Sequence, residues 1–285
     1  MKIGMVLEGG AMRGMYTAGV LDVMLEQNLL VDTVIGVSAG TVFGCNYKSR
    51  QIGRVIRYNT AYCKDPRFMS LRSLFKTGDL YGEQFCYHDI PDTLDPFDTE
   101  TFRKSPVEFY VTCTDVETGK AVYHRCTDGG AQDIQWMRAS ASMPVVSRVV
   151  RIGNYGLLDG GMADSIPVEQ LFSLGCDKGI VVLTQPKGYV KQKSSMLPLI
   201  RFGMRKYPAM VACMAKRHLV YNRALELVEQ GVRDGRLFVV QPSRSIGIHR
   251  IERDPEKLRQ AYAIGRTDAA EKLEALRAFL AKPIE

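Results

Sequence analysis

The sequence predicts an α/β fold built on a largely parallel sheet, and three observations carry that prediction. Strand-like and helix-like segments alternate through the first two thirds of the chain. Two glycine-rich turns, Glu8-Gly9-Gly10-Ala11-Met12-Arg13-Gly14 and Gly36-Val37-Ser38-Ala39-Gly40, each stand between a strand and the helix that follows it. Residues 179–184 (GIVVLT) form an unbroken apolar run of the kind a strand covered on both faces requires.

Residues 2–7 read as the first strand, and 15–27 as a helix carrying Val20, Leu21 and Met24 at helical spacing. A second strand at 31–36 leads into a helix of small residues at 39–47. Strands at 107–113 and 121–126 are parted by a turn at 117–119, and a helix at 132–141 stops before Pro144. Residues 145–152 and 156–158 read as a hairpin. Residues 64–104 have weak periodicity and many turn formers, so an irregular insertion or cap is expected within a first domain of residues 1–190. Residues 191–285 should form a mostly helical extension packed on that domain or completing it. It reads as helical over 196–232 with interruptions near Pro198 and Pro208, then a strand at 236–241 and a charged helix from 255 to about 281.

Of the 285 residues, 46% are hydrophobic and 24% charged, enough to build a sizeable core and to exclude a disordered chain. No apolar run approaches the roughly 20 residues needed to cross a bilayer. The start, MKIGMVLEGG, lacks the long apolar region of a signal peptide, which predicts a cytoplasmic protein. Seven cysteines are scattered without a C-x-x-C pair, and the histidines do not join them at zinc-ligand spacing. Reduced thiols are therefore expected, with no metal and no cofactor.

The net charge of +7 favours anionic partners. Between Lys178 and Leu225 ten Lys or Arg residues occur with no acidic one, interleaved with Phe202, Met204, Tyr207, Met210, Val211 and Met214. Such a stretch suits peripheral contact with an anionic membrane through residues 187–223, at the inner face of the cell membrane. It equally suits a helix that packs its apolar stripe on the core and turns its cations to water. No motif for nucleic acid accompanies it.

Three pieces carry chemistry. In the first turn, small residues let the backbone approach a ligand, and free N–H groups at the helix start point at an anion. A dinucleotide-binding turn fails on spacing, since Ala11 takes the place of the second glycine. In the second, a strand-to-helix elbow exposes the Ser38 hydroxyl, with Gly36 and Gly40 removing side chains that would collide. The third is Leu158-Asp159-Gly160-Gly161, by itself an ordinary turn, but one that offers a serine a carboxylate base.

In that chain order, these pieces resemble the patatin-like phospholipase family. Thr114-Asp115 followed by Thr118-Gly119-Lys120 matches it too, as do Ala139-Ser140-Ala141-Ser142-Met143-Pro144 and Ile166-Pro167-Val168 after Asp159, so the resemblance covers about residues 2–185. It implies a three-layer α/β/α fold and hydrolysis of lipid acyl esters by a Ser38–Asp159 dyad without histidine. It also implies an oxyanion hole at Gly9, Gly10, Ala11, Met12, Arg13 and Gly14, a nucleophile elbow with Gly36, Val37, Ala39 and Gly40 around Ser38, and a base loop at Gly160 and Gly161. The family usually has a third glycine where Ala11 stands, and aspartate is common where Glu8 stands. The tail beyond about residue 190 lies outside the shared pattern and looks like the helical extension of a bacterial subgroup. Arg13 suits either a salt bridge or a substrate phosphate. Two rivals stand beside this reading. A Ser-His-Asp triad would need His218 or His249, the histidines that follow Asp159, and neither sits in a catalytic-turn context. A catalytically degenerate lipid-binding or scaffold protein would keep the fold and lose the reaction.

Overall fold

The structure, a computed structural model, describes residues 1–283. Its centre is an eight-stranded sheet. Strands β1 (Ile3–Leu7), β2 (Thr33–Val37), β3 (Glu108–Asp115), β4 (Ala121–Cys126), β5 (Val150–Ile152), β6 (Tyr155–Asp159), β7 (Lys178–Val182) and β8 (Leu237–Val240) lie in the order β5-β6-β3-β2-β1-β7-β8, with β4 also pairing with β3. The β3-β2-β1-β7-β8 stretch is parallel, whereas β4, β5 and β6 are antiparallel additions.

Alternation along the central strands sends side chains into two separate cores. Met5 and Leu7 of β1, Val34 of β2 and Ile180 and Val182 of β7 pack with α1 (Gly14–Glu26), α2 (Ala39–Lys48) and α6 (Ala131–Ala141). Val6, Ile35, Val181 and Leu183 pack on the opposite face with α7 (Val168–Ser173) and α9 (Pro208–Arg233). Helices therefore cover both faces, which is the three-layer α/β/α arrangement.

The C-terminal region is interwoven with the rest. β8 extends the sheet beside β7, and α10 (Pro255–Glu271) lies tightly on α1. Gly19 and Gly265 permit that approach, since a Cβ on either would overlap a backbone carbonyl of the other helix. The interruptions expected at Pro198 and Pro208 are helix starts: both prolines sit in the first turn of their helices, α8 (Leu197–Gly203) and α9, where a missing N–H costs nothing.

Several elements differ from the sequence expectation. Residues 145–149 are turn rather than strand, with Val145 at φ 73°, so the hairpin strand β5 starts only at Val150. Residues 64–104 are not irregular throughout: they hold α4 (Leu71–Thr77), a π-type helical run at Phe85–Leu94 containing Pro91, and α5 (Thr99–Lys104). Ahead of them, α3 (Arg54–Tyr62) was not anticipated. The last charged helix divides at Lys272 into α10 and α11 (Leu273–Ala281), with no glycine or proline to mark the break.

Strand register sets the position of the site. Val37, the last residue of β2, is opposite Thr112 of β3, and Asp159, the last of β6, is opposite Cys113. The residue after Val37 is Ser38. The chain thus leaves β2 and β6 on either side of β3 at the same level, and Ser38 and Asp159 face each other across it.

Candidate active site

Ser38 occupies the turn between β2 and α2 with φ 54° and ψ −119°, a conformation that L residues adopt only under constraint. The constraint comes from all sides. Its N–H donates to Ser140 Oγ (2.9 Å), and Ser140 Oγ in turn donates to the Thr112 carbonyl (2.6 Å) and meets Thr41 Oγ1 (3.0 Å). Gly40 lets the first turn of α2 settle against β1, where a Cβ would run into the Leu7 carbonyl. Gly36, Val37 and Ala39 complete the elbow and are all buried.

Ser38 Oγ donates to Asp159 Oδ2 at 2.7 Å. The other carboxylate oxygen, Oδ1, accepts from Gly161 N (2.8 Å), and Asp159 N donates to the Ser142 carbonyl (2.8 Å). Gly160 is packed so closely against the Thr112 backbone that a Cβ there would overlap the Thr112 carbonyl. Ser38 and Asp159 are 7% and 4% exposed. Burial pushes the Asp159 carboxyl above the usual carboxylate range, although the hydrogen bond from Ser38 and the positive charge of Arg217 oppose the rise. A carboxylate shifted in that direction is a better proton acceptor than one in water.

The loop from Gly9 to Gly14 borders the same space. Among the described residues, the amides of Gly9, Gly10 and Ala11 have no hydrogen-bond acceptor. The Met12 amide is taken by the Arg250 carbonyl (3.3 Å) and the Arg13 amide by the Gly10 carbonyl (3.1 Å). Of the predicted donors, then, Gly9, Gly10 and Ala11 remain free, while Gly14 opens α1 against Phe43. Ala11 has φ 49°, in the left-handed region that the glycine usual at this position adopts without strain. Glu8 is buried and anchors the loop: Oε2 accepts from Thr184 N (2.6 Å) and Oγ1 (3.1 Å), and Oε1 from the Tyr221 hydroxyl (2.7 Å).

Two cavities meet at Ser38. The larger, about 140 Å³, is apolar and runs beneath the 64–104 segment, which contributes Phe68, Tyr81, Tyr87 and Ile90 opposite Phe43 and Met137. The smaller, about 40 Å³, holds Asp159 and the Gly9–Ala11 stretch and is rimmed by Arg13, Lys191, Arg217 and Arg250. The sequence singles out Arg13 for this loop, places Lys191 and Arg217 only within the 187–223 stretch suited to membrane contact, and gives Arg250 no role. They are distant in the chain, and only the packing of α9 and of the 242–254 loop reveals their convergence.

No histidine among the described residues hydrogen-bonds Ser38 or Asp159, and His218 and His249 lie on α9 and in a loop without such a contact. One histidine does join a cysteine, contrary to the expectation from spacing: ligand atoms of His124, Cys126 and Asp133 lie within 4.8 Å of one another. Asp133 Oδ2 already accepts the backbone N–H groups of Thr127, Asp128 and Gly129 just ahead of α6. The trio therefore fits the closing of a turn better than the holding of an ion.

YjjU, an uncharacterised protein of Escherichia coli (strain K12), is 26% identical over 275 residues, covering 93% of this chain and 75% of YjjU. The lysophospholipase nte1 of Aspergillus niger is 27% identical over 201 residues, which are 62% of this chain but only 11% of that much longer protein. The patatin-like phospholipase domain-containing protein ZK370.4 of Caenorhabditis elegans is 25% identical, over 70% of this chain and 15% of its own length. Among solved structures, VipD from Legionella pneumophila aligns with a TM-score of 0.46 at 12% identity, covering 96% of this chain and 67% of VipD. A domain of unknown function (DUF6363) matches residues 207–281. The pattern that defines the patatin-like phospholipases matches residues 5–172, more than half of the sequence and the whole of the Ser38–Asp159 framework. The chain belongs to the patatin-like phospholipase family.

Proposed function

We propose that this protein is a serine acyl hydrolase that cleaves lipid acyl esters, of phospholipase A or lysophospholipase type, through a Ser38–Asp159 dyad. The observation that carries the reading is the 2.7 Å hydrogen bond from Ser38 Oγ to a buried carboxylate, at the junction of an apolar cavity and a polar one. An acyl chain fits the first cavity and the remainder of an ester the second.

In this mechanism Asp159 Oδ2 takes the Ser38 proton as Oγ bonds to the ester carbonyl carbon. The carbonyl oxygen gains the negative charge, and the free amides of Gly10 and Ala11, with Gly9 beside them, donate hydrogen bonds to it; such donors are typically worth about 2.7–4 kcal/mol each. Collapse breaks the ester C–O bond, and the departing alcohol takes the proton from Asp159. Water then attacks the acyl-enzyme, giving its proton to Asp159; collapse breaks the acyl C–Oγ bond, Asp159 returns the proton to Ser38 Oγ, and the fatty acid leaves. Neither a metal nor a cofactor has a part in these steps.

Access to lipid fits two exposed helices. On α4, Leu71 and Phe75 are 65% and 87% exposed, and on α8, Leu199 and Phe202 are 51% and 71% exposed. Both helices end against the segment following Met143, which borders both cavities: Gly78 abuts Arg148, and Gly203 abuts Val145. Arg72, Lys76, Arg201, Arg205 and Lys206 are exposed on or beside them. Apolar groups ringed by cations suit peripheral contact with an anionic bilayer from the cytoplasm. Among the described residues no helix is long and apolar enough to cross a membrane.

Hydrolysis of a lysophospholipid, a diacyl phospholipid and a monoacylglycerol by the native protein, Ser38→Ala and Asp159→Asn tests the reading. Fatty-acid release by the native chain alone is expected. Near-normal turnover by Asp159→Asn would refute the dyad, and a folded but inert native chain would favour the lipid-binding alternative.

A further inference from the structure

The smaller cavity is electrostatically unbalanced. Arg13, Lys191, Arg217 and Arg250 line it, and the acids lining it are Glu8 and Asp159. Neither acid forms an ion pair with any of the four cations. The oxygens of Glu8 are taken by Tyr221 and Thr184, and those of Asp159 by Ser38 and Gly161. Arg13 Nε is buried without a hydrogen-bond partner among the described residues.

Arg217 and Lys191 are nevertheless held in place. Arg217 Nε donates to the Gly161 carbonyl. The Lys191 backbone is clamped by Asn222, which accepts from its N–H (2.8 Å) and donates to its carbonyl (3.1 Å), and the Lys191 ammonium lies 4.3 Å from the Tyr221 ring centre. Arg250 is steadied through its carbonyl by the Met12 amide. Burial first, then repulsion from Arg217 and Arg250, lowers the Lys191 ammonium to about 7, against weaker support from Glu8. Four cations against two acids, neither acid paired with a cation, leave the cavity complementary to an anion, and guanidinium groups suit phosphate oxygens in particular.

We propose that Arg13, Lys191, Arg217 and Arg250 form an anion subsite for the phosphate of the substrate's headgroup, so that residues beyond the patatin-matched segment select phosphate-bearing esters over neutral ones. The proposal deepens the acyl-hydrolase reading and rests on Ser38 as the point where both cavities meet. With the acyl chain in the apolar cavity and the carbonyl at Ser38, the alcohol portion enters the smaller cavity. A phosphate a few bonds from the ester oxygen then comes among the four cations. Three of them are supplied by Lys191, by α9 and by the loop before α10, which gives the C-terminal region a role in substrate choice.

The test uses binding, so that it survives failure of the catalytic reading. The affinities of Ser38→Ala for 1-palmitoylglycerol 3-phosphate and for 1-palmitoylglycerol are compared by competition with a fluorescent lipid, then repeated with Lys191→Met and Arg250→Gln added singly. The phosphate-bearing lipid should bind at least tenfold more tightly, and each added substitution should reduce that ratio several-fold. Equal affinities, or an equal loss for both lipids, would overturn the proposal and leave the cations as support for the oxyanion and Asp159. Inorganic phosphate supplies a further arm. Should it bind as tightly as the phosphate-bearing lipid and leave the two lipids indistinguishable, the pocket holds free phosphate and the headgroup assignment is wrong. Absence of ester cleavage by the native chain, with the binding ratio intact, would count against Ser38 catalysis alone.

Discussion

The hydroxyl of Tyr221, midway along α9, donates a 2.7 Å hydrogen bond to Glu8 Oε1 at the end of β1, and Glu8 Oε2 accepts from Thr184 just beyond β7. A helix outside the family-matched segment thereby secures the residue that leads into the Gly9–Ala11 loop. The contact is buried, with Tyr221 2% exposed, so water does not replace a lost partner easily. Tyr221→Phe should cost about 1.5–3 kcal/mol, the usual worth of a hydrogen bond to a charged group. Urea unfolding would check it, and the rate with any ester should fall as the loop loosens.

Ala11 stores strain that a glycine would release. At φ 49° its Cβ crowds the backbone, a cost of roughly 1–2 kcal/mol that is partly offset by the smaller entropy alanine loses on folding. Ala11→Gly should therefore raise stability by up to about 1 kcal/mol and leave kcat equal or higher. Thermal melting with parallel kinetics reads both. A clear loss of stability would mean that the alanine methyl, which borders both cavities, contributes packing that outweighs the strain.

The sheet and both catalytic candidates were legible in the sequence because each rests on a local signal. The run of residues 179–184 announces a buried strand, and Gly36, Ser38 and Gly40 announce an elbow. The level match of Val37 and Asp159 across β3 was not legible, since register is a property of three strands together. The helices α3, α4 and α5 were hidden because they are short and their helical pattern is weak; α4 buries no residue at all. The cation cluster left only a diffuse trace, the excess of Lys and Arg after residue 177. That excess did not distinguish Lys191 and Arg217, which face the site, from Arg201 and Arg205, which face solvent.

In the proposed mechanism Ser140 is a positioning residue for Ser38. Its hydroxyl accepts from Ser38 N and donates to the Thr112 carbonyl, fixing the turn in its left-handed form. Ser140→Ala should cost about 1–3 kcal/mol, because a buried donor and a buried acceptor both lose their partner. It should also lower kcat with little change in KM. A purely structural role would reduce stability while leaving kcat of the remaining folded protein intact, so kinetics at a temperature well below the melt separates the two.

The raised pKa of Asp159 has two consequences. The base must be ionised to accept the Ser38 proton, so kcat/KM should rise with pH through an apparent pKa above the ordinary aspartate value of about 3.9. The groups that bear on Asp159 are Ser38, Gly161 N–H, Arg217 and Arg250, with the buried Cys113 thiol opposite it in β3. Between the ordinary value and the raised one, the native state binds more protons than the unfolded chain. This contribution to stability is complete below the ordinary value and is lost as pH rises through the raised one. Asp159→Asn should accordingly melt no lower than the native protein at pH near 7 while losing at least about a hundredfold in kcat. A marked fall in its melting temperature would contradict the stated direction of the shift.

The central claim is that Ser38 is an activated nucleophile, and intact-protein mass spectrometry after exposure to a lipid-like fluorophosphonate tests it most directly. One covalent adduct on the native chain, absent from Ser38→Ala, is the predicted result. A well-folded native chain that stays unmodified, or an adduct that persists in Ser38→Ala, would contradict it.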